Sequence, residues 1–149
     1  MSLHSYSRVW LHLVWSTLER RRLLSKPAAI KVSDYLYGYS SEIGVYMKIN
    51  FVNPDHVHAV VDLPTGMLIE ELLKRFKGTS SHWISENNLV PGKFGWGRGY
   101  GVFSVSHSGI GEVANYVATQ EEPSETRLHG RIEIAGRALW AEVAAGGNR

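Results

Sequence analysis

The sequence predicts an α+β sandwich, a single antiparallel sheet with helices packed on it, and three observations predict it. Apolar residues alternate with a period of two in four short stretches. They recur with a helical period in three longer ones, and the order is β-α-β-β-α-β-α. From Arg8 to Thr17 the odd positions Val9, Leu11, Leu13 and Trp15 are apolar while the even positions are mixed, which suits a strand with one buried face. Ser25 and Pro27 mark a helix start, Val32, Tyr35, Leu36, Tyr39 and Ile43 form its apolar stripe, and Gly44 is its stop signal. Val45, Met47, Ile49 and Phe51 are expected to face one way along a second strand. Asn53-Pro54-Asp55 then makes a turn and His56 to Leu63 alternates again, giving a hairpin. The second helix carries Ile69, Leu72, Leu73, Phe76, Trp83 and Ile84 on its stripe and the pairs Glu70/Lys74 and Glu71/Arg75 on its wet side, with Gly78 interrupting its middle. Gly95, Gly97, Gly99 and Gly101 interleave with Phe94, Trp96, Arg98 and Tyr100 in a loop before a short strand at Val102 to Ser106. Ser108 is expected to cap a third helix whose stripe is Ile110, Val113, Ala114 and Val117. The first six elements match a ferredoxin-like split β-α-β sandwich.

Composition narrows the function classes. The chain has 149 residues, 44% hydrophobic and 20% charged, which fits one domain with a sizeable core and excludes disorder as its working state. No apolar run approaches the roughly 20 residues of a membrane span, and Met1 to Tyr6 lacks the order of a signal peptide, so a cytoplasmic protein is expected. Zero cysteines removes thiolate metal sites and cysteine nucleophiles together, leaving His, Asp, Glu, Gln, Ser and Tyr to carry any chemistry. The formal charge of +2 hides an asymmetry: residues 1–50 hold 7 Lys+Arg against 3 Asp+Glu, residues 51–105 hold 5 of each, and residues 106–149 hold 4 against 6. Arg20, Arg21, Arg22, Lys26 and Lys31 are the densest basic part, a cluster able to meet phosphates or simply to solvate a loop.

The most informative segment is His56-Val57-His58-Ala59-Val60-Val61-Asp62-Leu63. Its odd residues are all apolar and must take the core face, so both histidines share the other face. Two residues along a strand rise roughly 6.6 Å, a gap two imidazoles can lean across to meet one metal ion. The alternative is a pair of surface histidines on a half-exposed sheet. A third ligand would have to come from elsewhere. The third helix offers Tyr116 and Gln120, which at i and i+4 lie about 40° apart at the border of its stripe. Taken singly, Tyr116 reads as a partly buried aromatic and Gln120 as a solvated polar residue.

Several segments in order resemble one known family. They are His12-Leu13-Val14-Trp15-Ser16-Thr17, Arg20-Arg21, Val52-Asn53-Pro54-Asp55-His56-Val57-His58, Leu72 to Gly78, Gly99 to Ser106 and Tyr116-Val117-Ala118-Thr119-Gln120-Glu121-Glu122. Together they look like the HUH single-tyrosine transposases, most of all the branch with the REP-associated tyrosine transposases. The likeness runs over about residues 8–122, and the joint presence of His-hydrophobic-His and Tyr-x-x-x-Gln is far more specific than either alone. The resemblance implies that His56, His58 and Gln120 bind a divalent ion, Mg²⁺ or Mn²⁺, and that Tyr116 is the nucleophile. It implies attack on single-stranded DNA beside a hairpin, a 5′-phosphotyrosine intermediate, and a homodimer in which one subunit's tyrosine helix can complete the other's metal site. Arg20, Arg21, Arg22, Lys74, Arg75 and Lys77 are then candidates for the DNA backbone, and Trp96 or Tyr100 for stacking on unpaired bases.

After Glu122 the resemblance stops. Relatives continue with a histidine pair and an amphipathic tail, whereas this chain reads Pro123-Ser124-Glu125-Thr126-Arg127-Leu128-His129-Gly130, so residues 1–122 are read as a catalytic domain and residues 123–149 as a divergent tail. A histidine-triad nucleotide hydrolase would need His-x-His-x-His, and Val60 stands where its third histidine belongs. The other alternative is a catalytically decayed or host-adopted DNA-binding protein of the same fold. His4 is terminal, His12 is placed on the sheet face, His82 on a helix and His107 near a strand end, and none is expected to play a direct part, although strand order decides whether His12 shares the face of the pair.

Overall fold

The structure, a computed structural model, describes residues 5–120; the sequence reading of a divergent tail lies outside them. Four strands, β1 (Trp10–Ser16), β2 (Tyr46–Val52), β3 (His56–Asp62) and β4 (Gly101–Val105), form one sheet in the order β2-β3-β1-β4. Every neighbouring pair is antiparallel. Helices α1 (Lys26–Glu42), α2 (Ile69–Glu86) and α3 (Ile110–Ala118) complete the ferredoxin-like order that the alternating and helical periods predict.

Helix α1 begins where the sequence says. The Ser25 side chain accepts a hydrogen bond from the Ala28 N–H at 3.3 Å, Pro27 occupies the first turn, and Gly44 follows the helix with a φ of +76°, a backbone that glycine adopts without strain. Val32 and Leu36 are fully buried, and Tyr35 stacks on Trp83 of α2 at 4.6 Å between ring centroids. Helix α2 runs unbroken through Gly78 and buries Leu72, Leu73, Phe76, Ser80 and Ile84, while Ile69 is exposed. These two helices cover the face of the sheet that carries Leu11, Leu13, Trp15, Val57, Ala59 and Val61, and this is the main core.

The second strand departs from simple alternation. Met47 pairs with Val61 but Ile49 already pairs with Val60, so Lys48 is an extra residue and the phase of the strand shifts by one. Val45 and Met47 therefore enter the main core as expected, whereas Ile49 and Phe51 turn to the opposite face. Asn50 takes the core-side place and is only 6% exposed. Its carboxamide accepts from Ser33 Oγ at 2.6 Å and donates to the Ser33 carbonyl at 3.1 Å, so the polar group is not left unpaired.

The opposite face carries a smaller cluster of Trp10, Val60, Tyr116 and Val117, with Ile49, Phe51, Val105, Ile110 and Val113 packed against it, and α3 lies across it. The start of α3 differs from the sequence reading. Ser106, not Ser108, does the capping: its hydroxyl accepts from the Gly109 N–H at 3.0 Å and closes a single 3-10 turn, His107–Gly109, which leads into the helix. At the other end of β1, the Gly97 N–H bonds the Ser16 carbonyl at 2.8 Å, and a side chain at Gly97 would meet Ser16 Oγ at 3.3 Å. That close approach explains a glycine at this position of the loop.

Candidate active site

The even residues of β1 and β3 lie on the face of the sheet that α3 crosses, so strand order puts His12, His56 and His58 on the side that Tyr116 reaches. His56 stands at the start of β3, where the turn from Asn53 to Asp55 wraps around it. Its Nδ1 lies 2.6 Å from Asp55 Oδ1 and its Nε2 lies 3.1 Å from the Asn53 amide nitrogen. An amide nitrogen only donates, so Nε2 is the accepting nitrogen and Nδ1 carries the proton given to Asp55. The bond from His56, helped by the charges of His56, Arg20 and Arg22, holds the Asp55 carboxyl below its ordinary pKa against the opposing effect of its partial burial.

His58 is 2% exposed, and its ring lies 5.0 Å from that of His56. Its Nδ1 is 2.9 Å from Nε2 of His12, which lies diagonally across the β1–β3 pairing, Val14 being the residue directly opposite His58. Burial pushes the His12 imidazole down to a pKa of about 4. Tyr116, 6% exposed, presents its ring to both, at 6.0 Å from His58 and 6.4 Å from His12, each nearly perpendicular. The structure thus brings His56, His58 and Tyr116 of a single chain together. Gln120 follows the end of α3, which stops at Ala118, and its amide nitrogen donates to the Tyr116 carbonyl at 3.0 Å. Asp62, on the same face of β3, is engaged at the far end of the strand: it pairs with Arg8 at 3.0 Å and accepts from the Val9 N–H at 2.9 Å.

The basic residues fall in two places, the loop after β1 and the helix α2. The Thr17 N–H bonds the Asp55 carbonyl and the Leu24 N–H bonds the Pro54 carbonyl, so the loop carrying Arg20, Arg21 and Arg22 is sewn to the turn that holds His56. Arg20 reaches Asp55 Oδ2 at 3.3 Å, while Arg21 pairs with Glu19 at 3.0 Å. Glu19 and Arg20 have φ of 57° and 54°, two successive left-handed residues beside the site. Lys74, Arg75 and Lys77 sit on α2, behind the main core. Arg75 pairs with Glu71 at 2.8 Å, and Lys77 donates to the carbonyls of Arg98 and Gly99 at 3.1 and 3.2 Å, in a setting whose burial lowers its pKa. Trp96 is a core residue, its Nε1 donating to Ser80 Oγ at 2.9 Å, whereas Tyr100 is exposed. Between α1 and the end of β2 lies a cavity of about 330 Å³, lined by Lys26, Ser33, Asn50 and Asn53 among others; it shares Asn53 with the His56 environment.

His12 is the residue sequence reasoning set aside. Its signal was present: an even position on β1, together with the ferredoxin-like order that puts β1 beside β3, places it next to an even residue of β3.

A ferredoxin-like sheet with a histidine pair on one face and a tyrosine-bearing helix laid across it is the class of protein these residues build. The family model described as IS200-like transposase matches residues 5–120, and the chain belongs to that family, among the HUH single-tyrosine transposases. It is 24% identical over 116 residues to the ISDra2 transposase TnpA of Deinococcus radiodurans, covering 74% of this chain and 83% of the relative. Among solved structures, a candidate transposase from Deinococcus radiodurans R1 superposes with a TM-score of 0.63 at 23% identity, covering 80% of this chain and 96% of the other. A REP-associated tyrosine transposase bound to a REP hairpin superposes with a TM-score of 0.55 at 14% identity, covering 93% of this chain and 88% of the other. At these identities the superpositions speak for the fold.

Proposed function

We propose that this transposase cuts and rejoins single-stranded DNA through Tyr116, with a divalent cation held by His56, His58 and Gln120. The observation that carries the reading is the packing of the Tyr116 ring against His58 in a chain of the IS200-like family. The donor chemistry fits a divalent ion. His56 has its proton on Nδ1 towards Asp55 and its lone pair on Nε2, where a cation would take the place of the Asn53 amide; this is the arrangement in which a carboxylate orients a ligand histidine and raises its basicity. A third donor is needed beside the two imidazoles, and the Gln120 carboxamide oxygen, on the residue that follows α3 and bonds the Tyr116 carbonyl, is the candidate. Two imidazoles favour Mn²⁺ over Mg²⁺ on ligand softness, although either meets the charge requirement.

A bound divalent ion would polarise the scissile phosphate and offset charge on its leaving oxygen. The protein supplies the rest. The Tyr116 phenol gives its proton to solvent and its oxygen attacks phosphorus; the bond from phosphorus to the 3′ oxygen breaks and that oxygen takes up a proton from water, leaving a 3′-hydroxyl and a 5′-phosphotyrosine. The new bond remains a phosphodiester, so a free 3′-hydroxyl can reverse the step and rejoin strands without a nucleotide cofactor. Asp55 and the turn around it orient His56, and α3 brings the phenol to the histidine face.

The same reading assigns the DNA backbone to Arg20, Arg21 and Arg22 beside the site, with Lys74, Arg75 and Lys77 on α2 as more distant contacts. Hairpin DNA is the favoured partner by analogy with the REP-hairpin complex of the fold neighbour. A homodimer and a cytoplasmic location complete the proposal. No helix among the described residues is long and apolar enough to cross a membrane.

The test is covalent capture. Single-stranded oligonucleotides from both flanks of the gene are incubated with the protein and Mn²⁺, Mg²⁺ or a chelator, and a denaturation-resistant protein–DNA adduct is sought. The expected result is a metal-dependent adduct, lost in Tyr116→Phe. Hairpin binding that is unchanged in Tyr116→Phe, with no adduct from the parent under any metal, would instead identify a DNA-binding protein that has lost the chemistry.

A further inference from the structure

A ligand histidine must present a lone pair, and which nitrogen offers it is set by the bond the other nitrogen makes. At His56 that choice is made by a carboxylate, since Nδ1 gives its proton to Asp55. At His58 the same choice falls to a second imidazole. The group in contact with its Nδ1 is His12 Nε2, at 2.9 Å. Two neutral imidazoles joined by one hydrogen bond have two arrangements. If His12 donates, His58 carries its proton on Nε2 and that nitrogen cannot bind a cation. If His58 donates, its Nε2 keeps a lone pair.

We propose that His12 is a positioning residue whose Nε2 accepts the Nδ1 proton of His58 and thereby holds His58 in the tautomer that presents Nε2 to a divalent cation. The inference rests on the reading of His58 as a ligand. The His12 ring is fixed from several sides. Phe103 is its partner across the β1–β4 pairing, with ring centroids 6.3 Å apart, and the Tyr116 ring stands edge-on at 6.4 Å. An imidazole suits this position where a carboxylate does not. The site is only 9% exposed, and an ionised acceptor there would carry a heavy desolvation penalty, whereas a neutral ring nitrogen accepts a hydrogen bond without charge. The two ligand histidines are thus oriented by different means. Asp55 serves at the wetter end of β3, and His12 serves one step deeper.

Two measurements test this. The first is Mn²⁺ affinity, read from free Mn²⁺ by electron paramagnetic resonance, for the parent, His58→Ala, His12→Phe and His12→Gln, each checked for folding by circular dichroism. Phenylalanine keeps the ring volume and removes the acceptor; glutamine restores a carbonyl acceptor. The expected result is binding weakened about 10- to 100-fold in His12→Phe and restored to within about threefold of the parent in His12→Gln. Parent-like affinity in folded His12→Phe would overturn the role of His12 while leaving the metal site standing. Failure of the parent to bind Mn²⁺ through His58 would overturn the metal reading itself, and the inference with it. The second measurement needs no variant. Long-range nitrogen–proton NMR spectra of the metal-free parent are expected to show His58 protonated at Nδ1, and a proton on Nε2 would sink the proposal even if His12→Phe failed to fold.

Discussion

Val57 and His58 are neighbours on β3 and look in opposite directions. Val57 is fully buried against the layer of α1 and α2, whereas His58 lies beneath α3 with its Nδ1 on His12. On the first face every buried side chain of the sheet is apolar except Asn50, whose carboxamide is closed within the fold by Ser33. On the second, histidines from two strands meet a tyrosine. One face carries the main core and the other the histidine–tyrosine cluster, and a period of two lets the same seven-residue strand contribute to both. The sharpest way to break this comparison is to cut both residues to alanine. Val57→Ala is expected to lower stability by about 2 kcal/mol and keep adduct formation in the folded fraction. His58→Ala is expected to abolish the adduct, a loss beyond about 100-fold, with a smaller change in melting temperature. Equal loss of adduct in both variants would show that the two faces are not separable.

Within the stabilising face the largest single contribution should be Phe76. Its ring lies nearly parallel to Trp15 at 6.2 Å and edge-on to Tyr39 at 6.0 Å, joining α2 to both the sheet and α1. Phe76→Ala is expected to cost about 3–5 kcal/mol in urea denaturation. A cost below about 1 kcal/mol would mean that the core collapses around the gap.

On the chemical face burial itself has a price in acid. His12 has a folded-state pKa of about 4 against an ordinary value of 6.5, so between those values the unfolded chain takes up a proton that the folded chain refuses. The unfolding free energy should therefore fall as pH drops from about 6.5 to about 4, by about 3 kcal/mol at most, and this contribution should level off below that window. The lowered pKa of Asp55 acts further down, as pH falls below 3.8. Urea titrations of the metal-free protein at a series of pH values check this, and His12→Phe should flatten the dependence between pH 6.5 and 4. An equally steep fall in that variant would place the titrating group elsewhere.

A smaller effect is expected where a polar pair closes the main core. Trp96 Nε1 donates to Ser80 Oγ, and both residues are buried. Ser80→Ala leaves the indole N–H without that acceptor and should cost about 1–3 kcal/mol in thermal or urea unfolding. No change would mean that water or a neighbouring carbonyl replaces the hydroxyl.

The legibility of this fold in its sequence follows the same division. Apolar periodicity reports which residues leave water, so α1, α2 and the core face of β1 and β3 could be read directly from Leu11, Leu13, Trp15, Val32, Leu36, Leu72 and Phe76. The bulge at Lys48 could not be read, because Val45, Met47, Ile49 and Phe51 are all apolar and either phase of the strand buries them somewhere. The His-x-His pair and Tyr116 were visible as a motif, but the support of His58 by His12 crosses two strands 46 residues apart and exists only through strand order. Trp96 and Lys77 show the converse. Both carried a plausible reading as nucleic-acid contacts, and the fold gives each a local partner, Ser80 for one and the carbonyls of Arg98 and Gly99 for the other.

The basic residues give the finest version of the comparison. Arg20 lies on the loop tied to the His56 turn, and Lys77 lies on α2 behind the core, held by the loop before β4. If DNA runs along the histidine face, a phosphate near Arg20 competes with Asp55 for the guanidinium, and binding releases a counterion from that phosphate. Arg20→Gln should therefore weaken single-strand binding a few-fold at low salt and reduce the slope of log affinity against log salt by about 0.7. Lys77→Gln should change that slope less, since its ammonium already serves two carbonyls and its loss acts through the loop. The measurement is fluorescence anisotropy with a labelled hairpin oligonucleotide across a salt series. Equal slopes for the parent and Arg20→Gln, with a reduced slope for Lys77→Gln, would move the DNA path to the α2 side and separate it from the tyrosine.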